Sequence, residues 1–261
     1  KGSEVFLDID EAGELRVHPV RNRESISKNS LILYDLFVFR NLIREYLIGS
    51  DSIMVTKNLP FTQQEREQIT LYVDRLLNLE IIDEGTQYIT IQNLKAEMPL
   101  DKMIARMYFL TRSMMEDLKT NAVKVVNRDI VRSVVERDVL VGKFYLACIM
   151  QQRALLTQSW NSSYTFVEIL DLRLLIERIE IIGDEVKALA QVMLEGGKVA
   201  KRDLEFVYAL YETAYTAYQK KDVQSAQQFW ISEKDDRGKL SGDIHLLRIY
   251  DAIKDIADLV I

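Results

Sequence analysis

The stretch Glu180-Ile-Ile-Gly-Asp-Glu-Val-Lys-Ala-Leu-Ala-Gln-Val-Met-Leu194 aligns without gaps on Leu247-Arg-Ile-Tyr-Asp-Ala-Ile-Lys-Asp-Ile-Ala-Asp-Leu-Val-Ile261. Ile182/Ile249, Asp184/Asp251, Lys187/Lys254 and Ala190/Ala257 are identical, and five further pairs keep aliphatic character. Both copies space their apolar residues three and four apart, the period of a helix with one buried face. Each copy closes a run of three predicted helices, so the pattern predicts an internal repeat of a three-helix unit.

The residues leading into the two copies agree with this reading. Pro19, Pro60 and Pro99 are the chain's three prolines, and none follows Pro99. Proline breaks helix interiors and also supplies the turns of β-rich folds. A proline-free stretch from Leu100 to Ile261 therefore predicts long helices and excludes a sandwich or a glycine-rich nucleotide fold there. Pro99 stands where a helix can start without losing a hydrogen bond. Met103, Met107, Leu110, Met114 and Leu118 keep helical spacing, and Asp129 is placed to cap a second helix containing Val134, Val141, Tyr145 and Cys148. Gln158–Ser163 reads as a loop. Thr165 with Glu168 forms a capping box for a third helix that Gly196-Gly197 closes. Asp203–Lys220, Asp222 to about Asp236, and Asp243–Ile261 complete the second set, whose middle helix is the shorter.

The first 98 residues read differently. Residues 5–18 alternate as a hairpin around Glu11-Ala12-Gly13, and 19–30 read as a polar linker. Leu31, Tyr34, Leu36, Phe37, Phe39, Leu42, Ile43, Tyr46 and Leu47 predict one apolar helix ended by Gly49. Ile53–Thr56, a helix capped by Thr62 and Glu65, and strands Leu79–Asp83 and Tyr88–Ile91 give the order β-α-β-β. The expected division is a hairpin and linker over 1–29, a small α+β region over 30–98, and a helical domain over 99–261, with repeats of about 99–197 and 198–261. The fold class is mainly α: six helices in two three-helix bundles, preceded by the α+β region.

The net charge of −6 divides into −5 over residues 1–99 and −1 over the remainder, so neither part is a bulk polyanion binder. Arg16, His18, Arg21, Arg23 and Lys28 form one basic stretch, read as a solvated linker. Cys148 is the single cysteine, which excludes an intrachain disulfide and any CxxC motif and fits a reduced, cytoplasmic setting. The longest stretch without Asp, Glu, Lys or Arg, Ala154–Val167, is 14 residues and polar, so no membrane insertion is expected.

No Gly-rich phosphate loop or GxSxG elbow is present. His18 and His245 stand far apart, and Cys148 lies among Leu146, Ala147, Ile149 and Met150, as a core thiol would. Glu180 and Asp184 lie one helical turn apart on one face. Oxygen ligands so placed can share a hard cation if another helix adds more. Asp251, the repeat partner of Asp184, is the expected supply, with Asp255 one turn on and Asp117 and Asp138 on earlier helices. The competing reading solvates Glu180 or pairs it with Arg178 or Lys187. Tyr208, Tyr211, Tyr215 and Tyr218 share one helix face, read as packing with hydroxyls at the rim.

Glu180–Ala190 resembles the Glu-x-x-x-Asp helix of PhoU-type phosphate regulators. Arg106-Met-Tyr-Phe-Leu-Thr-Arg-Ser-Met-Met-Glu-Asp117 is similar to the opening helix of the archaeal members, and Val134-Val-Glu-Arg-Asp138 to their second. Arg40–Gly49 and Leu79–Glu84 resemble the segment preceding that domain. Lys1-Gly-Ser-Glu-Val with Gly13-Glu-Leu-Arg-Val resembles the tail of an AbrB/SpoVT-type swapped hairpin, whose first part is absent from this chain. The resemblance implies two three-helix bundles and a cytoplasmic regulator of phosphate uptake or signalling rather than an enzyme. It implies a homodimer, a phosphate transporter or signalling protein as partner, and DNA as a partner of the AbrB-like part. It also implies iron, zinc or magnesium at helix carboxylates, here Glu180, Asp184 and Asp251. The chain departs from that pattern at Leu247, where a Glu is expected before Asp251, and at Val141-Gly142, where an acidic residue is expected after Asp138. The alternatives are a metal-dependent helical-bundle enzyme and a purely structural dimerisation module.

Overall fold

The computed structural model describes residues 5–9, 15–19, 28–94, 98–123, 126–157, 164–240 and 242–260. β1 (Val5–Ile9) and β2 (Leu15–Pro19) pair antiparallel, with Val5 opposite Pro19 and Ile9 opposite Leu15. The expected Glu11-Ala12-Gly13 turn, most of the 19–30 linker and the Gln158–Ser163 loop lie outside the described residues.

A second sheet follows, in the order β3 (Asn29–Leu33), β4 (Ser52–Thr56), β6 (Tyr88–Asn93), β5 (Leu79–Glu84). α1 (Val38–Ile48) and α2 (Gln63–Val73) complete this region. The helix expected from Leu31 is corrected here. Residues 29–33 are a strand, parallel to β4 with Leu31 opposite Met54, and α1 begins only at Val38. Ile32 is buried between exposed Leu31 and Leu33, the period-two pattern of a strand. Asp35 ends it by accepting from the Phe37 backbone N–H at 2.7 Å, a local bond that competes with helix. α1 ends as expected at Gly49, φ +77°, where a side chain would be strained. The Thr62–Glu65 capping box is present.

The helical region contains α3 (Leu100–Asn121), α4 (Arg128–Thr157), α5 (Phe166–Leu194), α6 (Lys201–Lys220), α7 (Val223–Lys239) and α8 (Ile244–Asp258). Pro99 precedes α3, and its carbonyl accepts from Lys102 and Met103. The cap of α4 is Asn127 rather than Asp129: its side chain accepts from the backbone of Asp129 at 3.1 Å and of Ile130 at 3.4 Å. The Thr165–Glu168 box opens α5. Gly196, φ +90°, closes it, with Gly197 N–H donating to the Val192 carbonyl at 2.8 Å.

α3, α4 and α5 form one three-helix bundle, and α6, α7 and α8 the second. They join along α5–α8 and α3–α6, so one apolar core runs through both, from Met107 and Met114 to Tyr211, Ile249 and Ile256. The smaller core of the α+β region gathers Leu42, Tyr46, Val55, Ile69, Ile89 and Ile91. Leu146 and Met150 of α4 pack against it where α1 meets α4. By length and composition alone α4 passes as a membrane span, with a window of mean hydropathy 1.2. The 14-residue limit derived from charge-free stretches missed this, because two charged side chains do not stop a helix from qualifying.

Candidate functional site

α5 and α8, the two copies of the repeat, pack against each other at the join of the bundles. On α5, Glu180 and Asp184 share one face as the spacing predicted. α4 brings Asp138 to the same place. Lys187 stands among them, its Nζ 2.5 Å from Asp138 Oδ2 and 3.8 Å from Asp184 Oδ1. Burial pushes the Glu180 carboxyl up to about 7, Asp184, Asp138 and Glu177 add to the rise, and Lys187 opposes it. Asp184 is also raised, by burial and then Asp138. Lys187 is raised, chiefly by its hydrogen bond to Asp138. Removing water and crowding like charge both favour the protonated carboxyl.

Asp251 lies apart from this group. Its carboxylate accepts from Arg237 of α7. Lys254, the repeat equivalent of Lys187, reaches across to Glu233 of α7 at 3.4 Å. Each bundle thus sends a lysine from its third helix to a carboxylate of its middle helix. Counting four residues on from that carboxylate gives Gly142 in α4 and Arg237 in α7. Arg237 meets the repeated aspartate Asp251, and on α5 Gly183, beside Asp184, faces Val141 and Asp138 of α4.

The Glu180–Asp184–Asp251 set was expected to converge on a metal. Among the described residues no group of three or more His, Cys, Asp or Glu side chains is arranged to hold one. A hard cation needs several anionic oxygens at 2.0–2.6 Å. Here the ammonium of Lys187 engages Asp138 and approaches Asp184, and the guanidinium of Arg237 engages Asp251. The side chains present do not fit a resident metal. Asp255 pairs with Arg178 across α5–α8 at 2.8 Å, and Asp117 pairs with Arg137. Arg178 is therefore not the partner of Glu180.

His245 and Arg248 of α8 both bond Glu185 of α5, at 2.6 and 3.1 Å, which places His245 in packing between the bundles. Cys148 is buried, and burial pushes its thiol up to about 12, the setting of an inert core cysteine. The tyrosine face of α6 packs on α3: Tyr215 stacks on Tyr108 at 3.6 Å between ring centroids, and Tyr211 shares a 2.8 Å hydrogen bond with Thr111. Tyr208 lies under the ammonium of Lys119, 3.8 Å from its ring centroid. A groove between α6 and α7, lined by Leu210, Thr213, Ser225, Gln228, Phe229 and Ser232, has a volume of about 150 Å³. That is below the range of ordinary ligand clefts, and no titratable side chain lines it.

The fold is similar to that of a solved structure, PhoU from Pseudomonas aeruginosa. The TM-score is 0.51 at 17% sequence identity, covering 62% of this chain and 93% of that one. The helical region has the PhoU fold. No protein-family profile matches this sequence, and no curated protein does. The likeness to PhoU is one of architecture, with the small sheet region standing before it in the chain.

The sequence pointed to Glu180, Asp184 and their repeat partner and offered Lys187 as a partner of Glu180, but did not foresee the bond of Lys187 to Asp138 or that of Arg237 to Asp251. Lys187/Lys254 was visible as an identical repeat pair, and that identity was the available signal. Arg237 carried none, because its approach to Asp251 depends on how α7 packs.

Proposed function

We propose that the chain is a PhoU-like regulator of phosphate uptake or phosphate signalling that acts by protein–protein contact. The duplicated three-helix architecture shared with PhoU carries this reading. An exposed apolar patch supports the contact mode: Phe166, Val167, Leu170 and Leu174 at the start of α5 are 59, 66, 61 and 44% exposed. Apolar side chains clustered this way mark interaction surfaces. A phosphate transporter or its signalling protein is the expected partner, with the chain acting as a cytoplasmic homodimer.

A second reading assigns transcription control to the AbrB-like hairpin, β1–β2. Residues 28–94 carry six basic and nine acidic side chains, and residues 5–19 one arginine and four acidic ones, so charge favours neither on a phosphate backbone and this reading rests on the resemblance alone.

Co-purification from cells grown in high and in low phosphate tests the main reading. The expected result is a transport or signalling partner whose recovery changes with phosphate and is lost in Val167→Asp/Leu170→Asp. The same partners at the same level in both media would overturn it. Recovery of a specific promoter fragment would favour the second reading.

A further inference from the structure

We propose that the chain pairs with a second copy of itself through β3, edge to edge and antiparallel, so that two four-stranded sheets become one of eight strands. β3 and β5 are the two edges of the sheet. β5 is guarded: it carries Glu80, Asp83 and Glu84, and its register with β6 breaks between Ile81 and Asp83. Charges and bulges of this kind keep other strands off an edge. β3, Asn29-Ser-Leu-Ile-Leu33, has no charge, no proline and no break in its register with β4.

The free side of β3 is ready to bond. The Lys28 carbonyl accepts from Asp51 N–H at 2.8 Å, and Tyr34 N–H donates to the Thr56 carbonyl at 2.8 Å. Even-numbered backbone groups thus turn toward β4, and the alternation of a strand turns the N–H and C=O of Leu31 and Leu33 outward. The strand is also held in place. Ser30 Oγ donates to Glu45 Oε2 of α1 at 2.5 Å, and Glu45 is buried. A strand fixed in this way loses little freedom on pairing.

Charge selects a second copy as the occupant. Lys28 and Asp35 are the charged residues of the stretch 28–37, one beyond each end of β3, and both are exposed. Antiparallel self-pairing brings each Lys28 beside the partner's Asp35, whereas parallel pairing would set like charges together. Leu31 and Leu33 are 68 and 66% exposed, and Leu36 and Phe37, at 98 and 63%, continue the apolar surface past the strand. These four residues offer on the order of 500 Å² per copy, and the covered backbone adds to it, toward the ~800 Å² per partner of a stable interface. The proposal shares only the homodimer with the reading above. Self-association of the purified chain is measured without phosphate or partner, so either reading can fail alone.

The test is sedimentation equilibrium of the whole chain over a micromolar concentration series. Wild type is expected to be a dimer. Leu31→Lys/Leu33→Lys is expected to be a monomer with unchanged circular dichroism, since both side chains are exposed. Lys28→Glu should weaken the dimer about tenfold at low salt, through two lost ion pairs, and less at high salt. If the double lysine variant does not fold, Lys28→Glu carries the test. A monomeric wild type would overturn the proposal and leave the edge to a foreign strand. A folded double variant as dimeric as wild type, or a Lys28→Glu dimer of wild-type strength, would also overturn it and move the contact to another surface.

Discussion

Gly183 in the first bundle and Tyr250 in the second stand at the same step of the repeat and meet opposite surroundings. A Cβ at Gly183 would come within 3.2 Å of Thr111 and 3.3 Å of Val141, because α3 and α4 close tightly on α5. Tyr250 is fully buried, and its ring fills the corresponding space in the second bundle. The middle helices explain the difference. α4 runs for 30 residues and α7 for 17, so α7 brings less apolar surface to its bundle. A large side chain on the third helix supplies the missing volume. The duplicated helix is thus not a rigid copy: each version has adjusted to the width of its own bundle.

The most damaging way to break this comparison is to exchange the two residues' sizes. Tyr250→Ala is expected to lose about 3–5 kcal/mol, the usual cost of a large buried side chain. The Tyr250 hydroxyl is buried without a hydrogen-bond partner. Tyr250→Phe should therefore be neutral or slightly stabilising, since it removes an unsatisfied polar group. Gly183→Ala is expected to lose about 1–3 kcal/mol by overpacking. Urea midpoints of the three variants would show the order. Equal losses for Tyr250→Ala and Tyr250→Phe would mean that the ring is not what fills the second bundle.

A second difference is electrostatic, and pH sharpens it. Glu180 is half-buried where the second bundle has Leu247, an apolar residue packed on the core. Its carboxyl is pushed up to about 7, facing Asp138 from α4 and Glu177, Asp184 and Lys187 on its own helix. A carboxyl raised in the folded state holds its proton more tightly there than in the unfolded chain. The fold is therefore favoured at low pH, and the advantage is lost as pH rises from the usual carboxylate value through about 7. Glu180→Gln should flatten the stability profile between about pH 5 and 8 and raise the melting temperature at pH 8 by a few degrees. Parallel profiles for wild type and variant would show that Glu180 is not held in this state.

Much of the fold was legible because local rules carry it. The two capping boxes, Thr62–Glu65 and Thr165–Glu168, formed as spacing demanded, and the repeat located both third helices. β3 was misread because Leu31, Ile32 and Leu33 are an unbroken apolar run that suits helix or strand. Its strand pairing is with Leu31 opposite Met54, too far along the chain for local pattern to register. The cap of α4 was misplaced by two residues because Asn127 and Asp129 are both good caps, and the side-chain bonds decide for Asn127. Asn127→Ala should cost about 1 kcal/mol and Asp129→Ala much less; equal costs in thermal melting would contradict the assignment. At the site, Glu180 and Asp184 were legible because a helix fixes residues one turn apart. Asp251 was placed with them by analogy between repeats, and the structure separates them because each bundle closes on its own middle helix.

The smallest expected effect asks whether the second bundle's charge arrangement can be transferred to the first. Gly142 follows Asp138 by four residues as Arg237 follows Glu233, and a Cβ added there would meet nothing within 4 Å. Gly142→Ala should stabilise by about 0.5–1 kcal/mol, the helix-propensity difference alone. Gly142→Arg adds a guanidinium one helical turn from Asp138, worth about 0.3–0.5 kcal/mol more near neutral pH because such a helix pair is screened. The difference between the Arg and Ala variants isolates the charge. It should shrink at high salt, and at low pH, where carboxylates take up protons. A difference that ignores both would mean that the arginine stabilises only by packing, and that the second bundle's charge arrangement does not transfer to the first.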